Sequence, residues 1–186
     1  MTKLAPTPGQ TVGPFFGYAL PFEGGERLVD RTHPGAVRFY GHLFDGQGNP
    51  IPDALIELWQ ADENGGVPTA EGSLRRDGYS FTGFGRTSVD DNGLFSFTTV
   101  EPGATAEGAL PFFMVTVFAR GLLDRVFTRA YLPEASGSIA DDAFLASLGD
   151  RAGTLMTTRD EQGNIRFDIH MQGDNETVFI EHRQKD

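Results

Sequence analysis

Cysteine is absent from all 186 residues, which excludes a disulfide framework, a zinc–thiolate cluster and a cysteine nucleophile, and is compatible with a reducing compartment. Long apolar runs are absent too. No stretch approaches the roughly 20 residues that a bilayer-spanning helix needs, and no basic-then-apolar leader opens the chain. The expectation is a soluble, cytoplasmic protein with no membrane partner. Positive charge is scarce, with 15 Lys and Arg against 26 Asp and Glu and a formal net charge of −11. Phosphate recognition needs clustered Lys and Arg, so nucleic acid is not an expected partner. Histidine is thin as well. His33, His42, His170 and His182 are dispersed, and no two have the i, i+2 or i, i+4 spacing that aims two imidazoles at one ion.

What is present is turn chemistry alternating with short strands. Asp45-Gly46-Gln47-Gly48-Asn49-Pro50 combines glycine, which supplies positive φ, with proline, which fixes φ, and reads as a tight reversal. Ala54 to Trp59 then alternates, placing Leu55, Glu57 and Trp59 on one face and Ile56 and Leu58 on the other. Asp62-Glu63-Asn64-Gly65-Gly66 ends that strand. Further strands are expected at Val37–Phe44, Leu94–Thr98, Phe113–Phe118, Val126–Leu132, Leu155–Thr158, Ile165–Met171 and Thr177–Ile180, which are aromatic or β-branched and bounded by turns. Turns at Asp45–Asn49, Asp91–Gly93 and Asp160–Asn164 each precede an apolar strand and predict hairpins. One helix is expected at Asp141–Leu148, with an acidic start near its positive end. Many short strands in a chain of single-domain length point to a mainly β fold, an antiparallel β-sandwich over residues 37–186.

Residues 1–36 carry five prolines and little periodicity, which predicts an extended N-terminal arm laid over the domain or over a partner. Sixteen phenylalanines need partners to pack against; an arm plus a flat sheet face is consistent with an obligate hetero-oligomer, although the core alone could absorb them. Any sandwich contains a strand like Ala54–Trp59, with Glu57 accepting hydrogen bonds and Trp59 at a core edge.

The string from Asp45 to Gly66 as a whole resembles the signature of the intradiol ring-cleaving dioxygenases. In that family an Asp-x-x-Gly-x-Pro turn leads into an Ala-x-Ile-Glu-Leu-Trp-Gln-Ala-Asp strand and a Gly-rich turn, matched here by Asp45, Gly48, Pro50, Ala54, Ile56, Glu57, Leu58, Trp59, Gln60, Ala61 and Asp62. Thr7 to Phe16 is similar to the amino-terminal motif of the family's protocatechuate 3,4-dioxygenase branch. Gly83–Thr87, Asp90–Phe97 and Pro102-Gly103 follow the family's second hairpin, and Phe118–Gly121, Arg166–Ile169, Gln172-Gly173 and Glu176–Phe179 resemble the α chains of that branch.

The resemblance implies a non-haem Fe(III) held by two tyrosines and an His-x-His pair, because phenolates stabilise the higher oxidation state of a hard cation. At the matching positions this chain has Val67, Ala104 or Thr105, Phe112 and Met114. None is a ligand, which implies a vestigial pocket filled with side chains and dry, with the iron carried by a homologous β chain in an (αβ)n assembly. The resemblance also implies that an α chain contributes to the cleft for 3,4-dihydroxybenzoate and O2 through Thr11, Gly13, Pro14, Phe15 and Arg120. The family's α chains commonly have tyrosine where this chain has Phe15. An arginine is the natural grip for an aromatic carboxylate that the chain's acidic field repels. Two other classes of function stay open at this point: a sandwich module that binds without chemistry, and a self-sufficient catechol dioxygenase built from unmatched Tyr and His residues.

Overall fold

Four turns share one construction. In Asp45–Asn49, Asp62–Gly66, Asp90–Leu94 and Asp160–Asn164 the aspartate Oδ1 accepts the backbone N–H groups two and four residues on. The aspartate N–H donates to the carbonyl of the fifth residue, and the N–H of the fourth donates back to the aspartate carbonyl. That fourth residue is Gly48, Gly65, Gly93 or Gly163, with φ between 73° and 84°, a conformation that a side chain would oppose. These corners set the layout of the computed structural model, which describes residues 13, 15–69 and 76–181.

The strands are β1 (Val37–Phe44), β2 (Ala54–Trp59), β3 (Phe84–Ser88), β4 (Leu94–Thr99), β5 (Phe112–Ala119), β6 (Val126–Tyr131), β7 (Thr158–Arg159), β8 (Ile165–Arg166) and β9 (Ile169–His170). One sheet has the order β4-β1-β8-β7 with β9 also on β1; the other is β3-β2-β5-β6. The expected sandwich is observed, with most pairs antiparallel, but β1 pairs in parallel with both β8 and β9. The two inner faces meet in one core that includes Phe39, Leu43, Ile56, Leu58, Phe95, Phe97, Phe113, Val115 and Ile165. Across it the Phe39 and Phe113 rings lie 4.4 Å apart. Burying a side chain of this size contributes roughly 1.5–3 kcal/mol.

Several sequence expectations are corrected. Of the three predicted hairpins, only Asp160–Asn164 joins two paired strands, β7 and β8. The turn at Asp45 and the one at Asp90 carry the chain from one sheet to the other: after Pro50 bridges Phe44 and Ile51 donates to Leu43, Pro52 has no N–H with which to continue the ladder. Strand β3 lay outside the predicted strands because Gly85 and Arg86 break its apolar pattern. Leu155 ends a 3-10 helix (Gly149–Leu155) instead of starting a strand, and Thr177–Ile180 makes only the bridge from Ile180 to Phe127. Ile165–Met171 splits into β8 and β9, which keep one register along β1, because between them the His42 N–H donates to the Asp168 side chain at Oδ1 while Phe167 donates to the Tyr40 carbonyl. The predicted helix is present as α2 (Ala143–Ser147), capped by Asp142, which accepts the Leu145 N–H. A second, α1 (Phe16–Ala19), lies within the predicted arm.

The arm laces the two sheets together. Arg86 of β3 donates its N–H to the Gly25 carbonyl, while Thr98 of β4 exchanges backbone bonds with Glu26 and Leu28. A Cβ on Gly25 would overlap the Arg86 carbonyl oxygen, so this approach requires glycine. At the opposite edge α2 and its flanking 3-10 helices form a small second core of Tyr131, Ala135, Leu145, Ala152, Leu155 and Val178.

Acid should loosen these corners. Hydrogen bonds from Asn49 hold the Asp45 carboxyl below its ordinary pKa, those from Asn164 do the same for Asp160, and Ser80 brings Asp77 down to about 2. A carboxylate depressed in the folded state contributes stability that is present above its unfolded pKa, near 4, and lost as pH falls through the folded value. The expected result is that an Asp45→Asn, Asp160→Asn double variant melts below the parent at pH 7 and that the gap narrows as pH falls below about 4. A gap independent of pH in thermal melts would contradict this.

Candidate functional site

The outer face of the sheet β3-β2-β5-β6 gathers the residues singled out by the sequence. Strand alternation sends Leu55, Glu57 and Trp59 of β2 outward, beside Phe84, Arg86 and Ser88 of β3 and Phe112, Met114, Thr116 and Phe118 of β5. The β3 side is roofed by the arm, where Phe22 stacks on Phe84 and α1 lies against β2, leaving Leu55 fully buried. The β6 side is roofed by the helical segment, where the Arg129 guanidinium sits 4.3 Å from the Phe112 ring and 5.1 Å from Phe144.

Two of the four positions that match the family's ligands lie at one end of this face, on β5. Phe112 and Met114 are half-buried on β5, whereas Val67, Ala104 and Thr105 stand exposed on loops. The expected filled, dry pocket is therefore corrected: Phe112, packed by Tyr131 and Arg129, and Met114 are partly covered, and the loop positions face solvent. Beside them Trp59 is 46% exposed and packs on Phe84.

The other described tyrosines and histidines form no ligand set, and His182 lies outside the described residues. Tyr131 is buried and accepts from Arg129, and burial pushes its phenol above the ordinary range, which disfavours a phenolate. Tyr40 donates to Asp160, while Tyr18 and Tyr79 are exposed. His42 lies 3.6 Å from Asp168, and His33 accepts the Gly35 N–H. Among the described residues no group of three or more His, Asp or Glu side chains is gathered where it could hold a metal ion, and the residues at the four matching positions do not suit a ferric ion.

Of the predicted substrate-side residues, Arg120 falls at the other end of the face. Arg120 follows Ala119, the last residue of β5, and its side chain is 73% exposed. It was expected as a strand-end cation and is found as one, held by Asp53, whose partnership across 67 residues had no signal in the sequence. The same end carries Ser88 of β3, whose hydroxyl reaches the Gly17 carbonyl of α1 at 3.5 Å. With strands spaced about 4.8 Å apart, Arg120 lies on a strand about 10 Å from β3. Gly13 adopts φ 80° and Phe15 is 70% exposed, next to Tyr18 at 88%. Thr11 and Pro14 lie outside the described residues. Among the described residues, the hydrogen bonds of Arg120 go to Asp53.

On this face, beneath the arm, Glu57 and Arg86 form the ion pair that sequence reading missed. Arg86 Nε and Nη2 donate to Glu57 Oε1 at 2.9 and 2.6 Å, and Nη1 donates to the Leu20 carbonyl at 2.8 Å. Both side chains are largely shielded, at 16% and 12% exposure. The guanidinium also lies near the rings of Phe22 and Phe84. Arg86 thereby fastens the arm to the sheet.

Comparison with known proteins gives this geometry its context. Residues 12–109 match a family model described as Dioxygenase. Over 97% of this chain and the full length of the relative, the sequence is 38% identical to the protocatechuate 3,4-dioxygenase alpha chain of Burkholderia cepacia. The beta chain of the same name and organism is 31% identical over 93 residues, 48% of this chain and 36% of that one. Among solved structures, the dioxygenase domain of a dioxygenase–carbohydrate-binding fusion from Streptomyces sp. SirexAA-E superposes with a TM-score of 0.60 at 25% identity, covering 91% of this chain and 99% of that one. With its sandwich, its Asp45–Gly66 signature and a relative matched from end to end, the chain belongs to the intradiol ring-cleavage dioxygenase family, alongside the protocatechuate 3,4-dioxygenase alpha chains.

Proposed function

We propose that this chain is the α half of a two-chain protocatechuate 3,4-dioxygenase. The observation that carries the reading is the end-to-end similarity to an α chain, in a sequence with Val67, Ala104 or Thr105, Phe112 and Met114 at the ligand positions. The partner is a homologous β chain that holds the non-haem Fe(III), and residues 1–36 serve as the arm that meets it while 37–186 form the sandwich. The exposed aromatics Phe15 and Tyr18 support that role for the arm. The assembly works in the cytoplasm, a placement supported by the lack of cysteine; among the described residues no helix is long and apolar enough to cross a membrane.

The reaction adds both atoms of O2 to 3,4-dihydroxybenzoate and breaks the bond between its two hydroxylated carbons, each of which becomes a carboxyl carbon of 3-carboxy-cis,cis-muconate. A ferric ion held by the β chain would supply the activation of the catecholate. This chain orients. Thr11, Gly13, Pro14 and Phe15 wall the cleft, with glycine and proline letting the backbone approach an aromatic ring closely and hold it rigidly. Arg120 grips the carboxylate, supplying local attraction against a net charge of −11. Binding energy taken from the carboxylate, remote from the reacting carbons, serves to hold the ring in near-attack geometry.

In the assembled enzyme Arg120→Ala should raise KM for protocatechuate about tenfold or more, the scale of a lost charge-assisted pair. Catechol, which lacks the carboxylate, should be little affected. Equal effects on both substrates in steady-state oxygen uptake would remove the clamp.

A further inference from the structure

We infer that Asp53 is the positioning residue for Arg120, and that it sets how the chain discriminates a carboxylated catechol from a plain one. The inference rests on the carboxylate-clamp reading of Arg120. Ala54 and Ala119 are directly opposed in the β2–β5 ladder, so Asp53 and Arg120 face each other one residue beyond it, with the Arg120 N–H on the Asp53 carbonyl at 3.3 Å. The side chains repeat the pairing: Arg120 Nε donates to Asp53 Oδ2. A guanidinium presents two edges to carboxylates, one through Nε and one through its two terminal nitrogens. Asp53 takes the first. Among the described residues the terminal nitrogens make no hydrogen bond, and the side chain is 73% exposed, so the end-on fork is open to a second carboxylate. Arginine loses much rotamer freedom when a ligand fixes it, and an anchor at Nε removes part of that freedom beforehand.

The anchor has an opposing effect, since the Asp53 charge repels the substrate's carboxylate. The two effects separate by substitution. Asp53→Asn keeps an oxygen that can accept from Nε and removes the charge, whereas Asp53→Ala removes both.

In the assembled α–β enzyme, Asp53→Ala should raise KM for protocatechuate about three- to fivefold, the scale of an exposed ion pair, with kcat unchanged and KM for catechol unchanged. Asp53→Asn should restore the parental KM or lower it. In an Arg120→Ala background Asp53→Ala should have no further effect, because the group it positions is gone. A lower KM for protocatechuate in both single variants would overturn positioning in favour of charge competition. Equal changes for both substrates, or a drop in melting temperature alone, would reduce Asp53 to a structural contact. If Arg120→Ala itself fails to discriminate the substrates, the clamp falls and this inference with it; if Arg120→Ala discriminates while Asp53→Ala does not, only the inference falls.

Discussion

Arg86→Met is expected to destabilise the purified chain by about 3–5 kcal/mol, because it strands the Glu57 carboxylate on a shielded sheet face. The bonds that the structure gives the Glu57 side chain come from Arg86, and with 12% exposure water offers incomplete compensation. The double variant Glu57→Gln, Arg86→Met leaves no unpaired charge and should recover a large part of the loss. The substitution also removes the donor to the Leu20 carbonyl and the cation from the Phe22 ring, so the arm should become more open to limited proteolysis than the sandwich. If the arm walls the substrate cleft, the variant complex should also show a raised KM for protocatechuate. Urea unfolding decides the energetic part. A loss below about 1 kcal/mol would mean that the pair behaves as an exposed one.

Phe113→Ala should cost about as much, roughly 3–5 kcal/mol, for a different reason. Phe113 is fully buried between the sheets with its ring on Phe39, and its removal opens a cavity that rigid neighbours only partly fill. Its neighbour Phe112 points the other way, half-buried beneath Arg129 on the outer face, and Phe112→Ala should cost only about 1–2 kcal/mol. A typical domain is stable by about 5–15 kcal/mol, so the first change would consume a large share and the second a small one. Equal losses in paired unfolding curves would contradict the assignment of strand faces on which the site rests.

That assignment was legible in the sequence where residues alternate. The bounds expected for β1 and β2 are those observed, and β4, β5 and β6 differ from expectation by a residue or so at their ends. The turns were legible too, from clustered Asp, Asn and Gly, although one was read from Asp91 and the aspartate that closes it is Asp90. What could not be read was where each turn led: a corner that crosses from one sheet to the other uses the same five residues as a hairpin. The short C-terminal strands were blurred for the same reason, because β8 and β9 owe their parallel pairing on β1 to contacts with residues more than a hundred positions away. At the site, Arg120 stood out as a cation after an apolar strand, and the ligand positions were placed by resemblance. Asp53 and the Glu57–Arg86 pair were not found, since register between distant strands, and not spacing along the chain, brings them together.

The central claim is that this chain shapes a cleft around an iron held by another chain. Its most direct test is to purify the chain alone and together with a homologous β chain, then measure bound iron and oxygen uptake on protocatechuate in each. The expected result is a lone chain that is iron-free and inactive and a complex that holds iron and consumes oxygen. Stoichiometric iron and oxygen uptake in the lone chain would contradict the account, and a complex that neither forms nor turns over protocatechuate would leave a sandwich that binds without chemistry.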